Sequence, residues 1–420
     1  MLKKIVVEDL KIGMHLHELC GGWLDHPFWK TKFVLEDPAD LVKLRDSGVT
    51  HCWIDLEKSR NGMAPPANAS APPHAPERPE AVPESEPERA ASPPAHTSMA
   101  DELRHAAALF KQSREAVRSL FNEARMGRAL DAEKCLPLVA DITGSVWRNP
   151  AALVSLARLK THDDYSYMHS VAVCALMVAL ARQLGHDEQR AREAGLAGLL
   201  HDIGKARMPL AVLNKPGRLT NEEYRLIQTH PERGHELLSE AKVGGDFALD
   251  VCLHHHERPD GNGYPHALSD AKISLEAKMG AVCDVYDAIT SNRPYKSGWD
   301  PAESIAQMAD WAKSGQFDVA VFQAFAKSLG IYPVGSLVRL QSGRLGVVVE
   351  QHADALLTPV VKVFFSTNSQ LHIPPEILDL ARPGCSERII ARESNRNWKF
   401  KHLDELWAGA DVLQKIGRSA

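Results

Sequence analysis

Between residues 100 and 330 the apolar positions recur at helical spacing. Leu103, Ala107, Phe110, Val117, Leu120 and Phe121 share one face of a first long helix. That face predicts either packing within its own domain or a regulatory or dimerising surface. The longest strongly apolar run, residues 171–181, is about half the length that spans a bilayer. Polar residues bound it, so it predicts a buried helix. After Tyr332 the period changes to two. Residues 336–340, 346–350 and 359–365, with a turn at Ser342-Gly343, predict a small antiparallel β unit. From Trp398 to Ile416 the pattern returns to helix, with no catalytic signature.

The N-terminus alternates short β-like runs (KKIVV, MHLHEL, TKFVL, THCWIDL) with a single helix. Asp37 caps that helix, Pro38 opens it, Leu41 and Leu44 face inward, and Gly48 ends it. Trp23, Phe28 and Trp29 are expected in its core or an interface. Residues 64–94 then hold ten of the 26 prolines and no aromatic residue. Such a stretch buries too little apolar surface to offset its ordering entropy, which predicts a disordered or extended linker. The expected organisation is a small α+β regulatory module (1–60), a Pro-rich linker (61–98), a helical domain (99–333) and a C-terminal β unit with a helical tail (334–420). The predicted fold class is mainly α.

Charge narrows the function. At −5 and an isoelectric point near 6.5, the chain lacks the basic excess of a nucleic-acid binder. Seven scattered cysteines with no CxxC fit a reducing cytoplasm. Cys252 and Cys283 lie beside candidate ligands and are read as core residues or soft ligands. The start, MLKKIVVEDL, lacks the apolar stretch of a signal peptide, and no membrane anchor is expected.

The chemistry lies in the middle. His169, then HDIGK at 201–205, His230 before a proline, His255-His256-Glu257, DGNGYP at 260–265 and Asp284 form an ordered series of imidazoles and carboxylates. Such donors suit divalent first-row ions. His201 and Asp202 follow the apolar segment AGLAGLL, so they emerge where a buried helix ends, and Asp202 can bridge two ions. His230, His255 and His256 can complete the second ion's shell. Asp284 sits in an otherwise apolar helix, where an unpaired carboxylate is expensive and a metal explains it. Paired ions a few ångströms apart activate water against phosphate esters.

Here the chain resembles the HD-GYP phosphodiesterases, a branch of the HD hydrolase superfamily. YMHS (167–170), HDIGK, LNKPGRLT (213–220), HPERG (230–234), HHERPDGNGYP (255–265) and DAITSNRPYK (287–296) stand in that family's order. The N-terminal module resembles the small domain of unknown function often fused ahead of it. The resemblance implies an all-helical HD-type domain that hydrolyses cyclic di-GMP to pGpG, with onward cleavage to GMP left open. It implies metal ligands at His169, His201, Asp202, His230, His255, His256 and Asp284, with His254 an extra.

Some members place a glutamate four residues before the first histidine and bind a third ion. Here Tyr165 stands there, which favours two ions, iron or manganese. Arg293 and Lys296 match the family's phosphate-binding positions; a surface salt bridge is the alternative. Lys205 either polarises the scissile phosphate or pairs with a ligand carboxylate. Gly263 permits close backbone approach, Tyr264 could stack on guanine or bond a phosphate, and Asp260 braces the turn. Lys215 and Arg218 guard the entrance or are solvated loop charges. The competing expectations are a catalytically weak cyclic di-GMP receptor and a hydrolase of another nucleotide. Other signalling proteins are expected to reach the chain through residues 1–60.

Overall fold

The computed structural model describes residues 2–20, 33–46, 51–56, 58–59, 97–128, 130–160, 165–215, 217–291, 298–352 and 354–417. Of the expected linker, only Thr97 and Ser98 are among them. Trp23, Phe28, Trp29, Gly48, Arg293 and Lys296 also lie outside the described residues. Two compact units divide the chain, Met1–Pro94 and Ala95–Ala420.

The first unit has strands β1 (Leu2–Val6), β2 (His15–Cys20), β3 (Phe33–Val34) and β4 (His51–Asp55), with helix α1 (Pro38–Asp46) between the last two. The sheet order is β1-β4-β2-β3, with antiparallel neighbours. Its core is Val7, Leu10, Leu16, Leu35, Leu44, Cys52 and Ile54, with Leu41 packed against it.

The second unit is helical for most of its length. Helix α2 (Met99–Arg125) begins where the Ser98 side chain accepts the Asp101 N–H at 3.2 Å. Its predicted apolar face, Leu103 through Phe121, is buried. Own-domain packing is therefore what that face does, against α3 (Leu136–Arg148), α4 (Pro150–Ala157) and α5 (Tyr165–Gln183). Every residue of α5 from Met168 to Ala181 is buried, which explains a helix apolar on all sides. Among the described residues no helix is long and apolar enough to cross a membrane.

Around α5 also pack α6 (Glu188–Leu200), α11 (Leu275–Thr290) and α13 (Val319–Leu329). Between α6 and α11 the chain forms α7 (Leu210–Leu213), α8 (Asn221–Ile227), α9 (His230–Ala241) and α10 (Gly245–His254); α12 (Pro301–Lys313) precedes α13.

The C-terminal sheet has five antiparallel strands rather than the three expected: β5 (Leu337–Leu340), β6 (Arg344–Glu350), β7 (Val360–Ser366), β8 (Leu371–Asp379) and β9 (Ile389–Glu393), in the order β8-β7-β6-β5-β9. The two strands missed in sequence are the two edges. Pro374 and Pro375 argue against a strand at β8, yet an edge tolerates prolines that a central strand would not. The sheet is tied to the helices where Asp300 accepts the Leu337 N–H at 3.1 Å and Arg158 donates to the Val334 carbonyl at 2.7 Å. Three short helices, α14 (Asn395–Trp398), α15 (Leu403–Ala408) and α16 (Ala410–Lys415), complete the tail.

Candidate metal centre

Five α-helices and a 3-10 turn converge on one buried point. His201 is the residue at which α6 stops, and Asp202 leads into a 3-10 turn, Ile203–Arg207. His230 opens α9, with Pro231 at its first turn, where a missing N–H costs nothing. His255 ends α10, with His256 just beyond it; His169 lies in α5 and Asp284 in α11. The 3-10 turn meets the start of α9 backbone to backbone. A Cβ on Gly204 would lie 1.9 Å from the His230 carbonyl oxygen and 2.5 Å from the Gly234 nitrogen. Only glycine permits that approach, and the approach sets His230 beside Asp202.

The two oxygens of Asp202 face different ways. Oδ2 lies 3.5 Å from His169 Nε2 and 3.4 Å from His201 Nε2. Oδ1 lies 3.1 Å from His230 Nε2 and 3.8 Å from His255 Nε2. Two donor groups result, His169–His201–Asp202 and His230–His255–His256, each with ligand atoms within 4.8 Å of one another. Asp284 reaches toward both, with Oδ1 3.0 Å from His169 Nε2 and Oδ2 3.7 Å from His256 Nδ1.

Hydrogen bonds fix the tautomers. Nδ1 of His201 donates to the Gly198 carbonyl at 2.8 Å, and that of His230 to Ile227 at 2.7 Å. Nδ1 of His255 donates to Val251 and Cys252, both at 3.0 Å. A carbonyl oxygen can only accept, so each Nδ1 carries the proton and the neutral ring's Nε2 is left with a lone pair. His230 Nε2 and His255 Nε2 nevertheless stand 3.3 Å apart, two lone pairs facing one another. His201 Nε2 and Asp202 Oδ1 are buried without a hydrogen-bond partner. A cation between such atoms satisfies all of them, so the residues present fit divalent metal ions.

The electrostatics agree. Burial pushes the His256 ring down to about 3 and His255 well below its ordinary value, so both are neutral donors. For Asp202, burial acts against ionisation, but the Lys205 ammonium beside it outweighs that and holds the carboxyl well below the usual range. Asp284 is held down in the same way by His169 and its neighbours, against burial. Burial likewise opposes charge on His169, yet Asp284 and Asp287 hold its pKa up at about 9. A metal ion bound at that ring would displace a proton.

Residues 149–321 match the family profile described as HD domain, and residues 2–135 the profile described as a domain of unknown function, DUF3391. The chain is 53% identical, over 97% of its own length and 96% of the relative's, to a cyclic di-GMP phosphodiesterase of Pseudomonas aeruginosa. It belongs to the HD-GYP cyclic di-GMP phosphodiesterase family. A response-regulator cyclic di-GMP phosphodiesterase of Xanthomonas campestris is 38% identical over 44% of this chain and 50% of that one. A 3'3'-cGAMP-specific phosphodiesterase of Vibrio cholerae is 34% identical over 40% of this chain and 38% of that one.

The GYP segment that gives the family its name borders the cage. Glu257, adjoining His255-His256, is not among the grouped donors. Its buried carboxylate accepts the N–H groups of His266 at 2.6 Å and Leu268 at 2.9 Å, closing the segment into a loop. Asp260 accepts the Asn262 N–H at 3.0 Å and pairs with Arg258. A Cβ on Gly263 would lie 2.4 Å from the Arg258 nitrogen, so the loop folds back on itself only with glycine there. The Tyr264 ring stacks on His256 at 4.5 Å.

Lys205 pairs with Asp202, and Lys215 with Glu223 at 2.6 Å. His254 bonds Asp250 at 2.8 Å and stays out of both donor groups. Cys252 and Cys283 are buried, belong to neither group, and have thiols that burial pushes far up.

Sequence patterns alone assign no role to Asp287 and Lys160. Asp287 Oδ2 lies 2.6 Å from His169 Nδ1, and Lys160 Nζ lies 2.6 Å from both Asp287 oxygens. Asp287 was within reach of sequence reasoning, because it stands three residues after Asp284 on one helix and so shares its face. Nothing near Lys160 in sequence signals a role.

Proposed function

We propose that this chain opens cyclic di-GMP to linear pGpG, and cleaves pGpG onward to GMP, at a centre holding two iron or manganese ions. The observation that carries this is Asp202, which turns one oxygen to each of two imidazole pockets. His169, His201, Asp202 and Asp284 would hold one ion, and His230, His255 and His256 the other, with Asp202 shared. Such ions supply Lewis-acid polarisation of a phosphoryl oxygen and make water acidic enough to attack phosphorus near neutral pH.

The chain's own residues bind and orient the substrate. Lys205, about a quarter exposed beside Asp202, is placed to neutralise the scissile phosphate. Arg293 and Lys296 neutralise the phosphodiesters, as their place in the family motif implies. Tyr264, braced on His256, offers a stacking surface at the rim, and Asp260 and Gly263 hold the loop that carries it. The cage histidines His169, His201, His230 and His255 are at most 3% exposed, which keeps bulk water from their Nε2 atoms. Residues 1–60 act as a regulatory module that other signalling proteins contact. Cys135, Cys174, Cys252, Cys283 and Cys385 are free thiols, in keeping with the cytoplasm.

Anaerobically purified chain, loaded with iron or manganese and assayed chromatographically on cyclic di-GMP, pGpG and 3'3'-cGAMP, tests this reading. Linear pGpG followed by GMP is expected. Binding of cyclic di-GMP without turnover by the loaded protein would make the chain a receptor. Faster cleavage of 3'3'-cGAMP would reassign the substrate to the class named for the Vibrio cholerae relative.

A further inference from the structure

The cage fixes its imidazoles by two means. His201, His230 and His255 rest their Nδ1 on main-chain carbonyls, which no side-chain substitution removes. His169 alone among these four rests on a side chain, and that side chain is itself locked. Lys160, with no side-chain exposure, holds both oxygens of Asp287 at 2.6 Å. Ser291 Oγ donates to the same carboxylate at 3.2 Å.

A buried ion pair of this kind is weak evidence for stability, because an apolar pair of similar volume often serves as well. Lys160 also donates to the carbonyl of Ala157, at the end of α4, so the pair could be merely a tie between α4 and α11. The geometry at His169 argues for more. A carboxylate behind a metal-binding imidazole fixes the ring and raises its donor strength, and its full negative charge does the second more strongly than a neutral carbonyl.

We propose that Asp287, locked by Lys160, is a positioning residue that sets the metal affinity of the His169–His201–Asp202 pocket and leaves the His230–His255–His256 pocket unaffected. The inference rests on the two-ion reading of the cage.

Manganese titration of the metal-free full chain, read by electron paramagnetic resonance and elemental analysis, tests it. Wild type should show two binding classes, and His230→Ala identifies the class belonging to the other pocket. Asp287→Asn keeps an oxygen acceptor for His169 Nδ1 but removes the charge. It should weaken one class by roughly 10–100-fold, the range for such outer partners, with the other unchanged. Asp287→Asn alone leaves Lys160 buried without its counter-charge and can destabilise the fold, so the neutral pair Lys160→Met/Asp287→Asn is the deciding variant.

Its melting temperature should return toward wild type while the one class stays weak. Recovery of both stability and affinity would show that the pair is only a structural tie and overturn the proposal. Equal weakening of both classes would overturn it as well. A wild-type chain with a single class would instead remove the two-ion reading, and this inference with it.

Discussion

Gly204→Ala adds one methyl group where the HDIGK turn meets α9, and its effect can be worked from the backbone. The new carbon would lie 1.9 Å from the His230 carbonyl oxygen, against 3.4 Å for an ordinary contact, so about 1.5 Å must be found. The obstructing atoms belong to main chain on both sides, at His230 and Gly234, and no rotamer change can relieve them. Glycine-to-alanine changes at compatible positions usually stabilise, by about 0.4–1 kcal/mol. Here the sign reverses: overpacking of this kind costs about 1–3 kcal/mol.

A functional cost accompanies the stability cost. Moving the start of α9 carries His230 away from Asp202, and a misplacement of about 1 Å near a reacting centre can lower turnover on the order of 100-fold. Thermal unfolding, elemental analysis and turnover on one preparation are the assay. The expected result is a folded protein with a lowered midpoint, one ion lost from the His230 side, and turnover down at least about 100-fold. A variant with two ions and near wild-type turnover would refute the reasoning, since it would mean that the Gly204 contact does not position the cage.

Asp202→Ala removes the carboxylate common to both pockets; elemental analysis should find both ions depleted and turnover abolished, and retention of two ions would contradict the shared ligand. Glu257→Gln exchanges one acceptor oxygen for a donor facing a backbone N–H, so it should cost about 1.5–3 kcal/mol and raise KM with metal content unchanged, measurable by denaturant unfolding and steady-state kinetics. Arg293→Ala and Lys296→Ala should each weaken cyclic di-GMP binding by about 1.5–3 kcal/mol in calorimetry without loss of metal. Asp318 caps α13 through the Val321 N–H at 3.0 Å and pairs with Lys278 at 3.1 Å; burial works against ionisation, but these bonds hold its carboxyl below its ordinary value. A lowered acid pKa stabilises above the unfolded value and loses that contribution as pH falls through the folded one. Asp318→Ala should therefore cost about 0.5–2 kcal/mol at neutral pH, and its unfolding midpoint should converge on wild type in acid.

The ligand series was legible because an imidazole or carboxylate in an apolar helix is costly to bury unless something pairs with it, and a metal ion does so. The helix end that delivers His201 followed from where an apolar run stops. What could not be read was anything depending on a neighbour distant in sequence. Lys160 meets Asp287 across 127 residues, and no local pattern marks either as a pair. Glu257 reads as one more candidate donor until its carboxylate is seen to accept two backbone N–H groups. The edge strands β8 and β9 were missed because edges carry a weak alternation and β8 contains two prolines, whereas the inner strands of the same sheet were plain. The face of α2 had two readings that only its burial could separate.

Asp202 and the imidazoles around it also bear on how the unfolded chain behaves. Their side chains enter the cage from segments as far apart as α5 and α11, so any ion held there clips together ends of loops roughly a hundred residues long. The entropy of closing a flexible loop grows only with the logarithm of its length, yet long loops are where a clip restricts the unfolded ensemble most. Loss of metal would then lengthen the effective chain that must be gathered during folding, as cutting a disulfide does. In this view the ions are cross-links as much as reagents, and a cell starved of metal would lose folded protein together with phosphodiesterase activity.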